Sequence, residues 1–507
     1  MSEVKKLAGQ TIWYGMSTVV ARMLNYLMTP LLTYFLVNPS EVIQYGTIGL
    51  IYSYFALLNV IFTYGMETAY FRFCAQEKDK AKSFFDTAFS SLIISSAIFC
   101  LLMYVFRQPI ADFMVLGEHL NYIVLAIGIL FFDTLQAIPF AKLRQQQQPR
   151  KYAFIRIMGV LINLLAVFFC LVLMPRLAAA NPEGFWAGII SKYDVVSQVL
   201  FANLLQSVFT FLALFKEWNS FRFKLHPQLW QKMFQYSSPM ILIGLAGVAN
   251  EVIDRQFLIW YINGTDDYAK TIQGIYSANY KLSIVVTMFI TAFRLAAEPF
   301  FFNKSVDKNA PEVFARVMKW FVITVCIAFL ITSLYLSDIW LRFIGPSYRS
   351  GAFIVPILLM ANIFSGIYYN LSVWYKIKDQ MRMGVLITFI GAGITFLGNY
   401  LFIPQYEMLA SAWTTLVCYA GMALLCYFIG QKYFPVPYPI KKIAGYLLLI
   451  TLLYMGQHYI VTHFGDSSFT WLRLLTATLL IGLFLIIVII VEKSELKTMP
   501  VIGRFIK

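Results

Sequence analysis

Charge is scarce in this sequence. Only 13% of its 507 residues are Asp, Glu, Lys or Arg, about half the share of a soluble domain. With 60% hydrophobic residues, too little polar surface remains to face water on all sides. Soluble classes are excluded, and so are disorder, collagen and a disulfide scaffold. Cysteine is also sparse. Cys74, Cys100, Cys170, Cys326, Cys418 and Cys426 lie in or beside apolar stretches and form no CxxC pair, so neither a zinc site nor a disulfide framework is expected. His119, His226, His458 and His463 show no HxxH or HExxH spacing, which argues against a metal centre and leaves them as residues near the membrane interfaces. No GxxxxGK[ST] loop occurs, excluding ATP hydrolysis by that route. Long polar stretches are missing too. The longest loop, Arg176 to Tyr193, leaves no room for a soluble catalytic domain.

Apolar length is what the sequence has in abundance. A spanning helix needs about 20 mostly apolar residues. Fourteen segments qualify, numbered here in chain order: 7–36, 43–71, 83–105, 120–143, 152–175, 194–215, 233–262, 272–302, 313–336, 351–375, 383–403, 407–431, 438–463 and 470–491. A transmembrane β-barrel would need alternating strands of about ten residues, and runs such as Leu479 to Val491 do not alternate. The expected fold is an all-α polytopic membrane protein. Segment 1 has no small-residue cleavage site and is too long for a signal peptide, so it reads as a retained helix.

The formal net charge is +15. In a soluble protein such an excess points to nucleic acid; here it points to topology. With the N-terminus cytoplasmic, 29 of the 40 Lys and Arg fall on the cytoplasmic side and 7 on the other. The positive-inside rule then places both termini in the cytoplasm. Four cations are left, and these are expected to be buried: Arg22, Arg255, Lys281 and Arg294.

Two passages echo each other. Segment 2 ends in Tyr64-Gly-Met-Glu67-Thr-Ala-Tyr-Phe-Arg-Phe73, and segment 8 in Phe293-Arg-Leu-Ala-Ala-Glu298-Pro-Phe-Phe-Phe302. An even number of segments separates them, as in parallel transporter repeats. The expected organisation is a six-helix bundle over 1–216, a cytoplasmic linker over 217–232, a second six-helix bundle over 233–432, and two peripheral helices with a tail over 433–507.

Polar residues recur at helical spacing within the membrane. Segment 1 carries Thr11, Gly15, Thr18, Arg22, Asn25 and Thr29 on one face, and segment 2 carries Tyr52, Asn59, Thr63, Glu67 and Tyr70. Segment 8 carries Tyr276, Tyr280, Ser283, Thr287, Thr291, Arg294 and Glu298, and segment 10 carries Asn362, Ser365, Tyr369, Ser372 and Lys376. Single hydroxyls of this kind glue membrane helices together. A continuous stripe containing an Arg points instead to a water-filled cavity, because a charge in hydrocarbon costs several kcal/mol. The acids expected to be buried are Glu67, Asp133, Glu251, Asp254 and Glu298. Glu251 with Arg255, and Arg294 with Glu298, stand four residues apart and could be structural ion pairs. Arg22 has no acid within a turn of its own helix, so its partner is either an anionic, phosphate-bearing substrate or an acid of another helix such as Asp133. Asp133 could equally carry a proton or bind a cation.

Leu7-Ala-Gly-Gln-Thr-Ile-Trp-Tyr-Gly15, Gly65-Met-Glu-Thr-Ala-Tyr-Phe-Arg-Phe73, and Gly274-Ile-Tyr-Ser-Ala-Asn-Tyr-Lys-Leu282 running to Ala297-Glu-Pro-Phe-Phe-Phe302 resemble the polysaccharide-synthesis flippases. These belong to the multidrug/oligosaccharidyl-lipid/polysaccharide exporter superfamily, which includes the MATE drug exporters. The resemblance runs over essentially the whole chain. It implies two pseudo-symmetric six-helix bundles in a V around a central cationic cavity, with two extra peripheral helices. It further implies alternating access that moves a polyprenyl-pyrophosphate-linked glycan from the cytoplasmic to the outer leaflet of the inner membrane. Under it, Arg22, Asn25, Arg255, Lys281 and Arg294 are candidate substrate ligands. Asp133, Glu67, Glu251, Asp254 and Glu298 are candidates for Na⁺ or H⁺ coupling. The expected partners are the glycan lipid, the bilayer and the glycan polymerase and export machinery; the expected state is a functional monomer without cofactor, enzymatic activity or nucleic acid. Three alternatives stand beside it. They are a lipid II flippase of the same superfamily, a cation-coupled drug exporter, and a membrane glycosyltransferase or polymerase. An enzyme of the last kind should carry a substantial outer loop with catalytic acids, and here the outer loops are short.

Overall fold

The computed structural model describes residues 19–304, 307–378, 380–464 and 470–497. Among them every regular element is helical. Ten helices are long and apolar enough to cross a membrane. One of these, Met381–Tyr433, contains a break at Glu407 (φ 47°, ψ −127°) and is two crossings, segments 11 and 12. Segments 7 and 8, at Pro227–Val252 and Asp266–Lys304, are long enough to cross but more polar. Segment 1 is helical over 19–26 and Met28–Phe35. In their described parts all fourteen expected segments are thus helical, and the chain is a multi-pass, all-α membrane protein.

The loop between segments 5 and 6 is more ordered than its sequence implies. It holds an eight-residue helix, Phe185–Lys192. Asp194 then caps segment 6, its carboxylate accepting from Ser197 N–H at 3.1 Å. Segment 2 opens on a capping box, in which Glu41 Oε2 accepts from Asn38 N–H at 2.9 Å. The segment is then broken at Tyr64 (φ 33°) and Gly65 (φ 69°) before Met66–Gln76 resumes. Left-handed backbone suits glycine. Segment 8, which has Ala296 at the matching place of the echo, runs unbroken from Asp266 to Lys304. The sequence echo is therefore not a conformational copy.

The chain forms two compact units. The first comprises Met1–Ala278, Gly345–Tyr348 and Arg382–Cys418; the second comprises Asn279–Ile344, Arg349–Met381 and Tyr419–Lys507. Small residues let backbones touch in the first unit, as membrane helices require. A Cβ on Gly46 would lie 2.5 Å from the Lys270 carbonyl oxygen, and one on Gly274 would lie 2.7 Å from that of Val42. Backbone cannot move aside as a side chain can. Gly46→Val should therefore cost about 1–3 kcal/mol, the usual penalty of overpacking. Thermal unfolding in detergent should register this as a fall of several degrees in Tm. Gly247→Val, which meets open space within 4 Å, should leave Tm near that of the parent; equal Tm values for the two variants would refute the close-crossing argument.

Also in the first unit, residues 221–226 lie outside any helix and run along segment 3. Arg222 N–H donates to Asp86 Oδ1 (3.2 Å) and Lys224 N–H to Ser90 Oγ (3.1 Å). Trp230 Nε1 donates to Ser91 Oγ (2.7 Å). The buried polar face of segment 3 thus accepts from the linker's backbone.

Candidate functional site

The stripes of segments 1 and 2 meet in the first unit. Arg22 and Asn25 from segment 1 and Asn59, Thr63 and Glu67 from segment 2 line one cavity of about 500 Å³. Segment 4 adds Asp133 and Gln136 to the same wall, segment 5 adds Tyr152 and Arg156, and segment 6 adds Gln206 and Thr210. The periodicity that set these residues on one face of each helix is what makes them converge. Thr29, next along the segment 1 stripe, is buried, and its carbonyl accepts from Thr33 Oγ1 at 2.8 Å, so that end of the stripe serves packing.

The acids of the cavity are held differently from one another. Glu67 forms an ion pair with Arg144 across segments 2 and 4. The break at Gly65 sets it in the first turn of Met66–Gln76, where a carboxylate also suits the helix dipole. Asp133 accepts through Oδ1 from Ser207 Oγ (2.7 Å) and from Gln136 Nε2 (3.2 Å). Gln136 Nε2 also donates to the Ser207 carbonyl at 3.1 Å, tying segment 4 to segment 6. Tyr52 accepts from Asn203 Nδ2 at 2.8 Å nearby. Arg22 and Asp133 line the same cavity, as either reading of Arg22 requires.

Other candidates lie elsewhere. Arg255 is buried in an ion pair with Asp254 (2.7 Å), and Asp254 Oδ2 also accepts from the Tyr276 hydroxyl at 2.5 Å. The Arg255 guanidinium donates in addition to the Glu251 carbonyl, while Glu251 itself is exposed. A charged pair enclosed with a hydroxyl in this way has the features of a structural element. In the second unit, Arg294 and Lys376 line a small cavity with Tyr369 and Asn370. The Arg294 guanidinium lies 4.9 Å from the Tyr369 ring centroid, a cation–π distance. Lys281 is exposed on the same helix as Arg294. The side chains of Glu298 and His463 lie outside the described residues. Within segment 10, Asn362 Nδ2 donates to the Ser283 carbonyl at 3.2 Å, so this member of the stripe joins helices.

Arg156, Tyr152, Gln206 and Thr210 line the first cavity without having stood out in the sequence. Arg156 lies near the start of segment 5, where the sequence reads a cation as a topology signal. Only its position four residues from an aromatic, on a helix face turned toward segment 4, could have marked it. Lys319 was hidden in the same way. It is buried in the second unit, where it pairs with Glu492 and with Glu495 (2.8 Å).

Comparison with known proteins agrees with this architecture. Among curated proteins no relative matches the sequence. Among solved structures, the lipid II flippase MurJ in an inward closed conformation superposes with a TM-score of 0.73 at 14% identity, covering 95% of this chain and 99% of its own. An inward-facing multidrug resistance MATE family transporter of the MOP superfamily gives 0.60 at 11% identity, covering 86% and 95%. A MOP superfamily transporter from Pyrococcus furiosus Vc1, described as having a binding pocket of reversed polarity, gives 0.57 at 13% identity, covering 83% and 95%. At such identities the likeness is one of fold, and the fold is that of these transporters. The family model of polysaccharide biosynthesis proteins matches residues 7–304, more than half of the sequence and including every segment that lines the cavity around Arg22. The chain therefore belongs to the polysaccharide biosynthesis protein family, with a fold shared with MurJ and the MATE transporters of the MOP superfamily.

Proposed function

We propose that this protein is a flippase that carries a lipid-pyrophosphate-linked oligosaccharide from the cytoplasmic to the outer leaflet of the inner membrane. The observation that carries this reading is the cavity of about 500 Å³ around Arg22, in a polysaccharide-biosynthesis protein. A glycan head group cannot cross hydrocarbon unaided, because its hydrogen bonds would go unmade. Asn25, Asn59, Gln136 and Gln206 offer amide donors and acceptors to sugar hydroxyls. Arg22 offers a planar fork to phosphate. The lipid tail stays in the bilayer while the cavity opens to the two sides in turn. In the second unit, Arg294 and Lys376 line a small cavity of their own. No chemical step is assigned to the protein.

Several coarser features belong to the same proposal. Both termini face the cytoplasm, given the 29 to 7 split of cations. The working unit is a monomer built from two bundles, 1–216 and 233–432, joined by a linker, with the helices of 433–507 at the periphery. Coupling to Na⁺ or H⁺ runs through Asp133, whose carboxylate lines the cavity. Asp133→Asn should leave the transport rate insensitive to an imposed Na⁺ or proton gradient; a variant that still responds to both gradients as the parent does would remove Asp133 from coupling.

A second reading is favoured by one observation, the superposition on the lipid II flippase at a TM-score of 0.73. The deciding experiment is translocation by purified protein in proteoliposomes. Polyprenyl-pyrophosphate-linked oligosaccharide and lipid II are offered in separate vesicles, with and without gradients. Movement of the oligosaccharide alone supports the proposal. Movement of lipid II alone supports the second reading. Formation of new glycosidic bonds, or cation efflux without lipid movement, would overturn both.

A further inference from the structure

We infer that the linker between segments 6 and 7 is a docking surface for anionic phospholipid. Phe223 and Leu225 are its apolar anchors, and Lys216, Arg222 and Lys224 are its contacts to the headgroup. This goes beyond the flippase reading and does not depend on it.

Residues 221–226 read Phe-Arg-Phe-Lys-Leu-His, so each large apolar residue has a basic one beside it. Phe221 is half-buried and meets Phe89 of segment 3 edge-on at 4.8 Å. It fixes the start of the linker to the helix bundle. Phe223 and Leu225 are left 62% and 42% exposed. Exposed apolar side chains interleaved with cations are the composition of a chain that lies in the membrane interface.

The depth of the linker agrees. The helix of segment 3 spans Ala81–Val105, 25 residues, or about 37 Å, whereas the hydrocarbon core is about 30 Å thick. Only the first few ångströms of such a helix stand clear of hydrocarbon. Arg222 N–H donates to Asp86, Lys224 N–H to Ser90, and His226 N–H to Thr87 Oγ1 at 3.4 Å. These acceptors lie about 7–14 Å along the helix from Ala81 at 1.5 Å per residue. The linker therefore rests where headgroups give way to acyl chains, and three of its N–H groups have the side-chain acceptors that backbone at this depth requires.

Charge then selects the partner. Lys216, Arg222 and Lys224 are exposed, and no acid occurs from Trp218 to Trp230. The acids nearby are already engaged. Asp86 and Glu217 are buried, and Glu217 pairs with Lys151. Glu77 pairs with Lys80 and Lys232. The face that the linker offers is positive, and its complement is negative. An acidic protein would match the cations but would leave Phe223 and Leu225 at a depth where only acyl chains reach. A phospholipid meets both, because a long basic side chain reaches out to the headgroup while its apolar neighbour enters the acyl layer.

The test is photo-crosslinking of the full chain in vesicles of equal parts phosphatidylglycerol and phosphatidylcholine, with p-benzoylphenylalanine in place of Phe223. Lipid adducts should form, with phosphatidylglycerol enriched about fivefold or more over its share of the vesicle, the factor carried by one cation near an anionic surface. The combined variant Lys216→Gln, Arg222→Gln and Lys224→Gln should return the adducts to the vesicle proportion. These three side chains are exposed, so the fold should survive their replacement, and an unchanged Tm checks this. The same probe in place of Phe185, exposed beyond segment 5 and close to Glu183, should report the vesicle proportion. Adducts at position 223 in the vesicle proportion overturn the inference, as does enrichment that survives the triple substitution or is equalled at position 185. Adducts to protein alone, within the chain or to another copy, also overturn it and make the linker a protein contact. None of these outcomes bears on the flippase reading, which translocation measures separately.

Discussion

Replacing Arg22 by alanine should reduce translocation of a lipid-pyrophosphate-linked glycan on the order of 100-fold or more. A bidentate guanidinium–phosphate contact contains two charge-assisted hydrogen bonds, each worth about 1.5–3 kcal/mol. Losing both costs about 3 kcal/mol at the lower bound, which corresponds to about two decades. Arg22→Lys keeps the charge but not the planar fork, so it should recover only part of the rate. The variant should fold as the parent does, because Arg22 is exposed to a cavity and its truncation opens no void in a packed core. An unchanged Tm with a lost transport rate is therefore the expected pair of results. Arg294→Ala should act in the same direction, since Arg294 also lines a cavity, with Lys376 beside it. Full transport by a protein lacking both arginines would refute recognition by charge. A fall in Tm that matches the loss of transport would instead make Arg22 a structural residue, with Asp133 as its natural partner across the cavity.

The same arginine shows what a sequence can reveal. Arg22, Asn25, Asn59, Thr63 and Glu67 could be chosen in advance because a helix repeats every 3.6 residues and a polar stripe in an apolar segment has few uses. Their convergence in one cavity follows from two neighbouring helices turning their stripes the same way. The helices themselves were legible for a simpler reason: about 20 apolar residues suffice to mark a crossing. Even the boundary between segments 11 and 12 was visible, as a gap at 404–406 next to the strained Glu407. What stayed hidden shares one cause. Arg156 and Lys319 lie near the starts of segments 5 and 9, beside loops in which lysine and arginine are abundant, so they vanish into a background of like residues. The break at Tyr64 and Gly65 was hidden because a single glycine in an apolar helix carries several meanings. The short helix Phe185–Lys192 was hidden because eight residues leave little periodicity to read. The ion pair of Arg255 with Asp254, its neighbour in sequence, could not be told from one with Glu251 by spacing alone.

Lys319→Met should destabilise the protein by about 3–5 kcal/mol, the cost of breaking a buried ion pair by removing one partner. Lys319 is 3% exposed and Glu492 is 1% exposed. Glu492 Oε1 also accepts from Lys442 Nζ at 2.9 Å and from the Tyr446 hydroxyl at 2.8 Å. Glu495, which pairs with Lys319 at 2.8 Å, accepts as well from Trp320 Nε1 at 3.1 Å. The cluster thus ties the start of segment 9 to the start of segment 13 and to the turn after segment 14. Its chemistry is that of a closed cluster, whose donors are turned on partners within the protein. Burial works against the ionised form of Glu492, but hydrogen bonds from Lys319, Lys442 and Tyr446 outweigh it and hold its pKa below the ordinary glutamate value. A carboxyl whose folded pKa is depressed binds fewer protons than it does in the unfolded chain. Its contribution to stability is then complete above the unfolded pKa and is lost as pH falls through the folded one. The parent should accordingly lose Tm on acidification below the usual glutamate range, and Glu492→Gln should flatten that part of the profile. The double variant Lys319→Met with Glu492→Leu removes both charges and should recover much of the loss, since apolar replacements of buried pairs are often neutral or stabilising. If the double variant is no more stable than Lys319→Met alone, the two residues do not act as a pair. Should Lys319→Met match the parent in Tm, the cluster contributes nothing to holding segments 13 and 14 in place. Transport of the glycan lipid by folded protein should survive in the double variant, because none of these residues lines the cavity around Arg22.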